Sequence, residues 1–235
     1  MVAFLGEFIG TALLLAVGSG VVANEVLQKT KGHNTGWVSI TLGWGLGVFL
    51  GVYASTAIGG SGHLNPAFTI GMAVFGDFDP SLVAPYLLAQ FSGAFVGSVL
   101  GWASYYQHFA ATDDANLKLA VFSTAPAIPH TLSNFTTEVI ATFVLVFGAL
   151  LASAPTNSLG ALDALPVGLL VLCIGLGLGG ATGYAINPAR DLGPRIAHFL
   201  LPIPGKRDSN WSYSWIPVVG PIVGGLLGSY VYHLL

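Results

Sequence analysis

Asn-Pro-Ala occurs twice in this chain, at Asn65-Pro66-Ala67 and Asn187-Pro188-Ala189, and each copy interrupts an apolar, glycine-rich stretch. Proline lacks an N–H and its φ is fixed near the helical value, so it suits the first position of a helix; the asparagine before it is then an N-cap. Each motif therefore places an amide donor beside the free N–H groups of a helix start. The few ionisable residues within apolar runs are Glu7, Glu138 and the group Arg190, Asp191 and Arg195 just after the second motif. Charges at such positions are costly and mark function or a buried partner. The chemistry on offer is hydrogen bonding and charge repulsion. There is no Ser/His/Asp constellation or phosphate-binding glycine loop, and Gly175, Gly177 and Gly179 lie inside an apolar run where packing explains them. A metal at His63 would need further ligands at suitable spacing, and the sequence offers none. An enzyme, a cofactor and a metal site are all disfavoured.

The elements that must hold these residues are membrane helices. The 235 residues are 54% hydrophobic and only 7% charged, against about 25% charged in soluble domains. Spanning helices need roughly 20 apolar residues, and six candidates fit, at about 3–24, 37–58, 82–105, 134–154, 163–182 and 212–234. This leaves one transmembrane domain over residues 1–235 with no room for a long soluble one. The net charge of −3 makes no case for nucleic acid. Cys173 stands alone in an apolar run, so no intramolecular disulfide forms and the residue reads as packing. The start, Met1-Val2-Ala3-Phe4, lacks a basic region and is read as a retained first span.

The two halves are copies of each other. Gly6-Glu7-Phe8-Ile9-Gly10-Thr11 parallels Thr137-Glu138-Val139-Ile140-Ala141-Thr142. Gly93, Gly97, Gly101 and Tyr86 match Gly220, Gly224, Gly228 and Tyr213 at one constant offset. Repeat 1 covers about 1–105 and repeat 2 about 134–235, joined by a linker at about 106–133 that reads as a polar surface loop through Asp113, Asp114, Lys118, Pro126 and Pro129. Three spans per half force the second half to insert upside down, giving an inverted 3+3 repeat. Each motif then starts a half-helix of about ten residues, about 15 Å long or half a bilayer. The two positive N-termini face each other at the midplane and repel cations and hydronium there. Asn65 and Asn187 are placed to donate to a passing oxygen. The glycines bring neighbouring helices close.

On these residues the chain resembles the major intrinsic protein family, the aquaporins and glycerol facilitators. His63-Leu64-Asn65-Pro66-Ala67 and Asn187-Pro188-Ala189-Arg190 stand as the family pattern has them. The resemblance covers nearly the whole chain and implies an all-α membrane protein with six transmembrane helices and two re-entrant half-helices. It implies a selectivity filter of Trp44, Gly175, Tyr184 and Arg190. Gly175 stands where strict water channels carry histidine, which removes a ring from the wall, and Asp191 after the arginine is typical of glycerol-conducting members. Tyr184 departs from the usual phenylalanine and makes the filter more polar. Pore-lining carbonyls are expected from Ser61, Gly62, His63 and Leu64, and from Gly183, Tyr184 and Ala185, because rings of carbonyls replace a solute's hydration shell. His63 either faces the pore mouth or holds the loop. Glu7 and Glu138 are expected to brace the re-entrant loops, and Asp191 to brace locally, with Arg195 available at i+4.

The resemblance further implies a homotetramer in the cell membrane, with cytoplasmic termini, passing glycerol, water and comparable neutral solutes such as urea, dihydroxyacetone or undissociated lactic acid. A water-selective pore, a channel mainly for undissociated hydroxy-acids and a secondary transporter are the alternatives. The implied orientation conflicts with the positive-inside rule: it puts Lys29, Lys31, Lys118, Lys206 and Arg207 on the outer side and leaves the inner loops without a basic residue.

Overall fold

The computed structural model describes residues 1–152, 158 and 160–235. All regular structure among the described residues is helical. Ten α-helices run in order: α1 (Val2–Val26), α2 (Trp37–Ile58), α3 (Pro66–Phe75), α4 (Val83–Ser104), α5 (Tyr106–Ala111), α6 (Ala115–Ala120), α7 (Thr131–Ala152), α8 (Leu165–Leu178), α9 (Pro188–Leu200) and α10 (Ile216–Tyr232). Among the described residues, four are long and apolar enough to cross a membrane: α1, α2, α7 and the Pro80–Ser104 segment that contains α4.

The fifth and sixth spans are shorter helices than the sequence suggests. α8 has 14 residues and α10 has 17. Residues 179–182 are apolar but already turn out of the helix, through Gly179 and Gly180, to start the re-entrant loop. Hydropathy cannot register that ending, because the apolar run continues past it. α10 starts later than 212 because its proline is seated at the first turn, at Pro217. The end of the fourth expected span, at 153 and 154, lies outside the described residues.

The repeat is visible in the packing. α1 packs on α2 and α4, while α7 packs on α8 and α10. The half-helices cross over: α3 lies against α10, and α9 lies against α4. Each repeat thus supplies the half-helix that fills the other. The tightest approaches of backbone to backbone use the aligned glycines. A methyl group at Gly97 would sit 2.3 Å from the Ala12 carbonyl oxygen, and one at Gly224 would sit 2.3 Å from that of Val139. No side chain fits at either place, so these glycines set the α1–α4 and α7–α10 spacing.

The linker is only in part the polar surface loop expected from its composition: Asp113, Asp114 and 127–133 are exposed. It folds into α5 and α6, and Phe109, Val121 and Phe122 are fully or almost fully buried. Lys118 is buried too, with Nζ donating to the Pro204 carbonyl. His198, unremarkable in sequence, is also buried and meets Phe122 edge to face. The linker therefore packs onto the far end of α9 and belongs to the machinery that holds the second half-helix.

Candidate functional site

α3 and α9 start at Asn65-Pro66 and Asn187-Pro188, and each asparagine caps its helix. Asn65 Oδ1 accepts from Ala67 N at 2.9 Å; Asn187 Oδ1 accepts from Ala189 N at 3.0 Å and Arg190 N at 3.2 Å. The amide ends reach across the two-fold. Asn65 Nδ2 donates to the Ile186 carbonyl and Asn187 Nδ2 to the Leu64 carbonyl, both at 2.8 Å. One N–H of each amide thus clasps the opposite loop. Each amide has a second N–H, and both asparagines border the cavity. Sequence reasoning gave the amides to the solute alone and missed the clasp.

The residues before each asparagine have unusual backbones. Leu64 has φ 50°, Ile186 has φ 48° and Tyr184 has φ 40°. Left-handed conformations cost free energy for residues with a Cβ and persist only where surroundings enforce them. Here two carboxylates enforce them. Glu7 accepts from His63 N at 3.0 Å, Leu64 N at 2.8 Å and Gln90 Nε2 at 2.9 Å. Glu138 accepts from Ala185 N at 3.0 Å, Ile186 N at 2.9 Å and Thr182 Oγ1 at 2.7 Å. Both glutamates are fully buried. With N–H groups turned back to the carboxylates, the loop carbonyls are free to face the other way. Replacing Glu138 by Gln keeps one acceptor oxygen but turns an NH2 towards the backbone donor that the other oxygen served. A buried unsatisfied donor costs about 1–3 kcal/mol, so Glu138→Gln is expected to lower the thermal midpoint in detergent and to cut solute flux. An unchanged midpoint would show that Glu138 does not hold the loop.

His63 points its ring into the protein. Nδ1 lies 3.1 Å from Thr69 Oγ1, and the ring packs against Phe68, Phe78 and Tyr86. Of the two placements open in sequence, the loop-holding one describes these contacts, although the residue also borders the cavity. Asp191 is buried. Its Oδ2 accepts from Thr124 N at 2.8 Å and Thr124 Oγ1 at 2.7 Å, and its Oδ1 pairs with Arg195 at 2.7 Å. Arg195 also donates to the carbonyls of Thr124, Ser209 and Asn210. At the other end of α9, Lys206 Nζ donates to the carbonyls of His198, Phe199 and Leu201, each at 2.7 Å. These close the helix C-terminus, where carbonyls lack partners. Partial burial holds the Lys206 ammonium below its ordinary pKa.

Trp44, Tyr184 and Arg190 come together at one end of a cavity of about 640 Å³ that continues past Leu64, Asn65, Ile186 and Asn187 to Thr56, Ser61 and Asp163. The Arg190 guanidinium carbon stands 3.8 Å above the Trp44 ring. That contact, over the ring face, is a cation–π interaction. Gly175 does not leave an empty wall. A methyl group there would meet Tyr184 Cζ at 2.9 Å and the Tyr184 hydroxyl oxygen at 3.0 Å. The notch that the glycine opens is filled by the tyrosine. Gly62 and Gly183 also have positive φ, 70° and 82°. Among the described residues, no group of three or more His, Cys, Asp or Glu is placed to hold a metal.

Two half-helices meeting tip to tip under buried glutamates, beside a lined cavity, define a helical membrane protein with a pore between two inverted repeats. The chain belongs to the major intrinsic protein family, whose sequence profile matches residues 1–232. It is 55% identical, over all of both chains, to a probable glycerol uptake facilitator protein of Thermotoga maritima. It is 53% identical to the glycerol uptake facilitator protein of Bacillus subtilis, covering 99% of this chain and 84% of that one. Among solved structures it is similar to the aquaglyceroporin from Plasmodium falciparum, with TM-score 0.87, 31% identity and coverage of 99% of this chain and 95% of that chain. The fold is that of the aquaporins.

Proposed function

We propose that the protein is a passive channel that passes glycerol and other small neutral polar solutes, together with water, and excludes ions and protons. The observation that carries this reading is the continuous cavity between filter and inner mouth, with Trp44 and Tyr184 as an apolar corner and Arg190 as the polar face. A polyol is amphipathic: its carbon edge lies along the rings while its hydroxyls reach the guanidinium and the loop carbonyls of Ser61, Gly62, His63, Leu64, Gly183, Tyr184 and Ala185. The Asn65 and Asn187 amides take each solute oxygen in turn. Cations meet Arg190 and two helix N-termini, each worth roughly half a positive charge, while the acidic residue among the described lining, Asp163, lies away from that stretch. Urea, dihydroxyacetone and undissociated lactic acid fit the same wall chemistry.

In reconstituted vesicles, glycerol influx should rise in proportion to the gradient and be indifferent to Na⁺ or pH gradients. Saturable, ion-coupled uptake would replace the channel by a secondary transporter.

The reading includes a homotetramer in the cell membrane, each protomer with its own pore, and cytoplasmic termini. Three of the five basic residues that oppose this orientation have structural roles: Lys118 and Lys206 bond carbonyls at the α9 end, and Arg207 bonds Asn116 and Asp208. Their positions serve the folded loops, which weakens them as topology signals.

A further inference from the structure

We propose that Trp37, which lies outside the filter quartet, positions Tyr184 and thereby sets how the pore divides glycerol from water; this rests on the filter reading above. Trp37 is the first residue of α2 and is 40% exposed. An exposed tryptophan at a helix end ordinarily serves as an interfacial anchor with its N–H towards the headgroups. Here Nε1 turns inward and donates to the Gly175 carbonyl at 3.0 Å. That carbonyl lies in the last turn of α8, where intrahelical donors run out. The indole also meets the Tyr184 ring edge to face, with centroids 5.7 Å apart and planes at 80°.

Tyr184 lies lengthwise in a slot made by two glycines one turn apart. A methyl group at Gly179 would collide with Tyr184 Cδ1 at 2.4 Å, and one at Gly175 with Cζ and the hydroxyl. Trp37 closes the slot, 3.0 Å from the same methyl position at Gly179. The start of α2 is itself fixed: Glu25 accepts from Gly36 N at 2.8 Å and from the Thr35 and Ser39 hydroxyls. Within the slot the Tyr184 hydroxyl is buried and has no hydrogen-bond partner among the described residues. A buried unpaired hydroxyl is unfavourable. Packing alone therefore keeps the ring in the slot, while its hydroxyl gains a partner if the ring swings towards Arg190 and the water in the lumen. Trp37 is the group that prevents the swing.

Permeabilities to glycerol and water measured by stopped flow in the same vesicles give a ratio independent of protein amount. Trp37→Leu is expected to lower the glycerol-to-water ratio about three- to tenfold, the change corresponding to one such contact, an aromatic pair or a hydrogen bond. Trp37→Phe, which keeps a ring at the slot, should fall between. Adding Tyr184→Phe to Trp37→Leu should restore the ratio, because a phenyl ring has no hydroxyl to solvate; a merely structural role for Trp37 would show no such rescue. The proposal is overturned if both Trp37 variants keep the parent ratio while Tyr184→Ala alone changes it, or if the rescue fails. A ratio that also ignores Tyr184→Ala would overturn the filter reading itself.

Discussion

Asp191→Ala is expected to destabilise the protein by about 3–5 kcal/mol, the cost of removing one partner from a buried ion pair. Arg195 is completely buried, and Asp191 is its only ion-pair partner among the described residues. Without the carboxylate, the guanidinium keeps its three carbonyl partners but has no counter-charge, and the Thr124 N–H and hydroxyl lose their acceptor. Thermal unfolding in detergent, followed by tryptophan fluorescence, should show a midpoint lower by on the order of 10 °C. Replacing both charges, as in Asp191→Leu with Arg195→Met, should recover only part of the loss. Apolar replacement of a buried pair is often neutral, but here it also orphans the carbonyls of Thr124, Ser209 and Asn210. A midpoint for Asp191→Ala within about 1 °C of the parent would refute the assignment. The consequence for transport is indirect: Asp191 touches no part of the cavity but fixes the first turn of α9, one residue from Arg190.

Much of this frame is legible in the sequence, and the reasons are local. Proline after asparagine announces a helix start wherever it occurs, so both half-helices could be placed from six residues. Glu7 and Glu138 stand out because a charge in an apolar run is conspicuous. The rest depends on contacts between elements far apart in the chain. Asp113, Asp114 and the two prolines make the linker look like a surface loop, yet Phe109 and Phe122 anchor part of it in the interior and Thr124 braces α9. The positive φ of Leu64, Tyr184 and Ile186 has no compositional signal, since none is glycine. Trp37 sits at a helix end where tryptophan is commonplace. Only the distance to Gly175, which is 138 residues away, distinguishes it. The rows of glycine did predict close packing, but Gly175 and Gly179 receive a side chain from a loop and not a neighbouring helix.

That difference decides what a histidine at position 175 should do. From sequence, Gly175→His adds a ring to an open wall and narrows the pore. In the folded protein the wall is already occupied: even the Cβ meets Thr41 Cγ2 at 2.8 Å and Tyr184 Cζ at 2.9 Å. The single variant must expel Tyr184 towards Arg190, so it is expected to block glycerol and to reduce water as well. Gly175→His combined with Tyr184→Ala gives the imidazole the space that the phenol leaves. The wall then exchanges an aromatic corner for a second polar group opposite Trp44. A polyol loses the surface along which its carbon edge slides, while water, which needs only hydrogen bonds, does not. The double variant should therefore keep water permeability and lose glycerol permeability by more than about tenfold, a difference of at least about 1.4 kcal/mol between the two solutes at the filter. Stopped-flow measurements of both solutes on the single and double variants distinguish the cases. If the single variant retains parent glycerol flux, Tyr184 does not border the conduction path. If the double variant retains it, Gly175 and Tyr184 border a path whose solute discrimination resides elsewhere, and the clasped Asn65–Asn187 region becomes the next place to look.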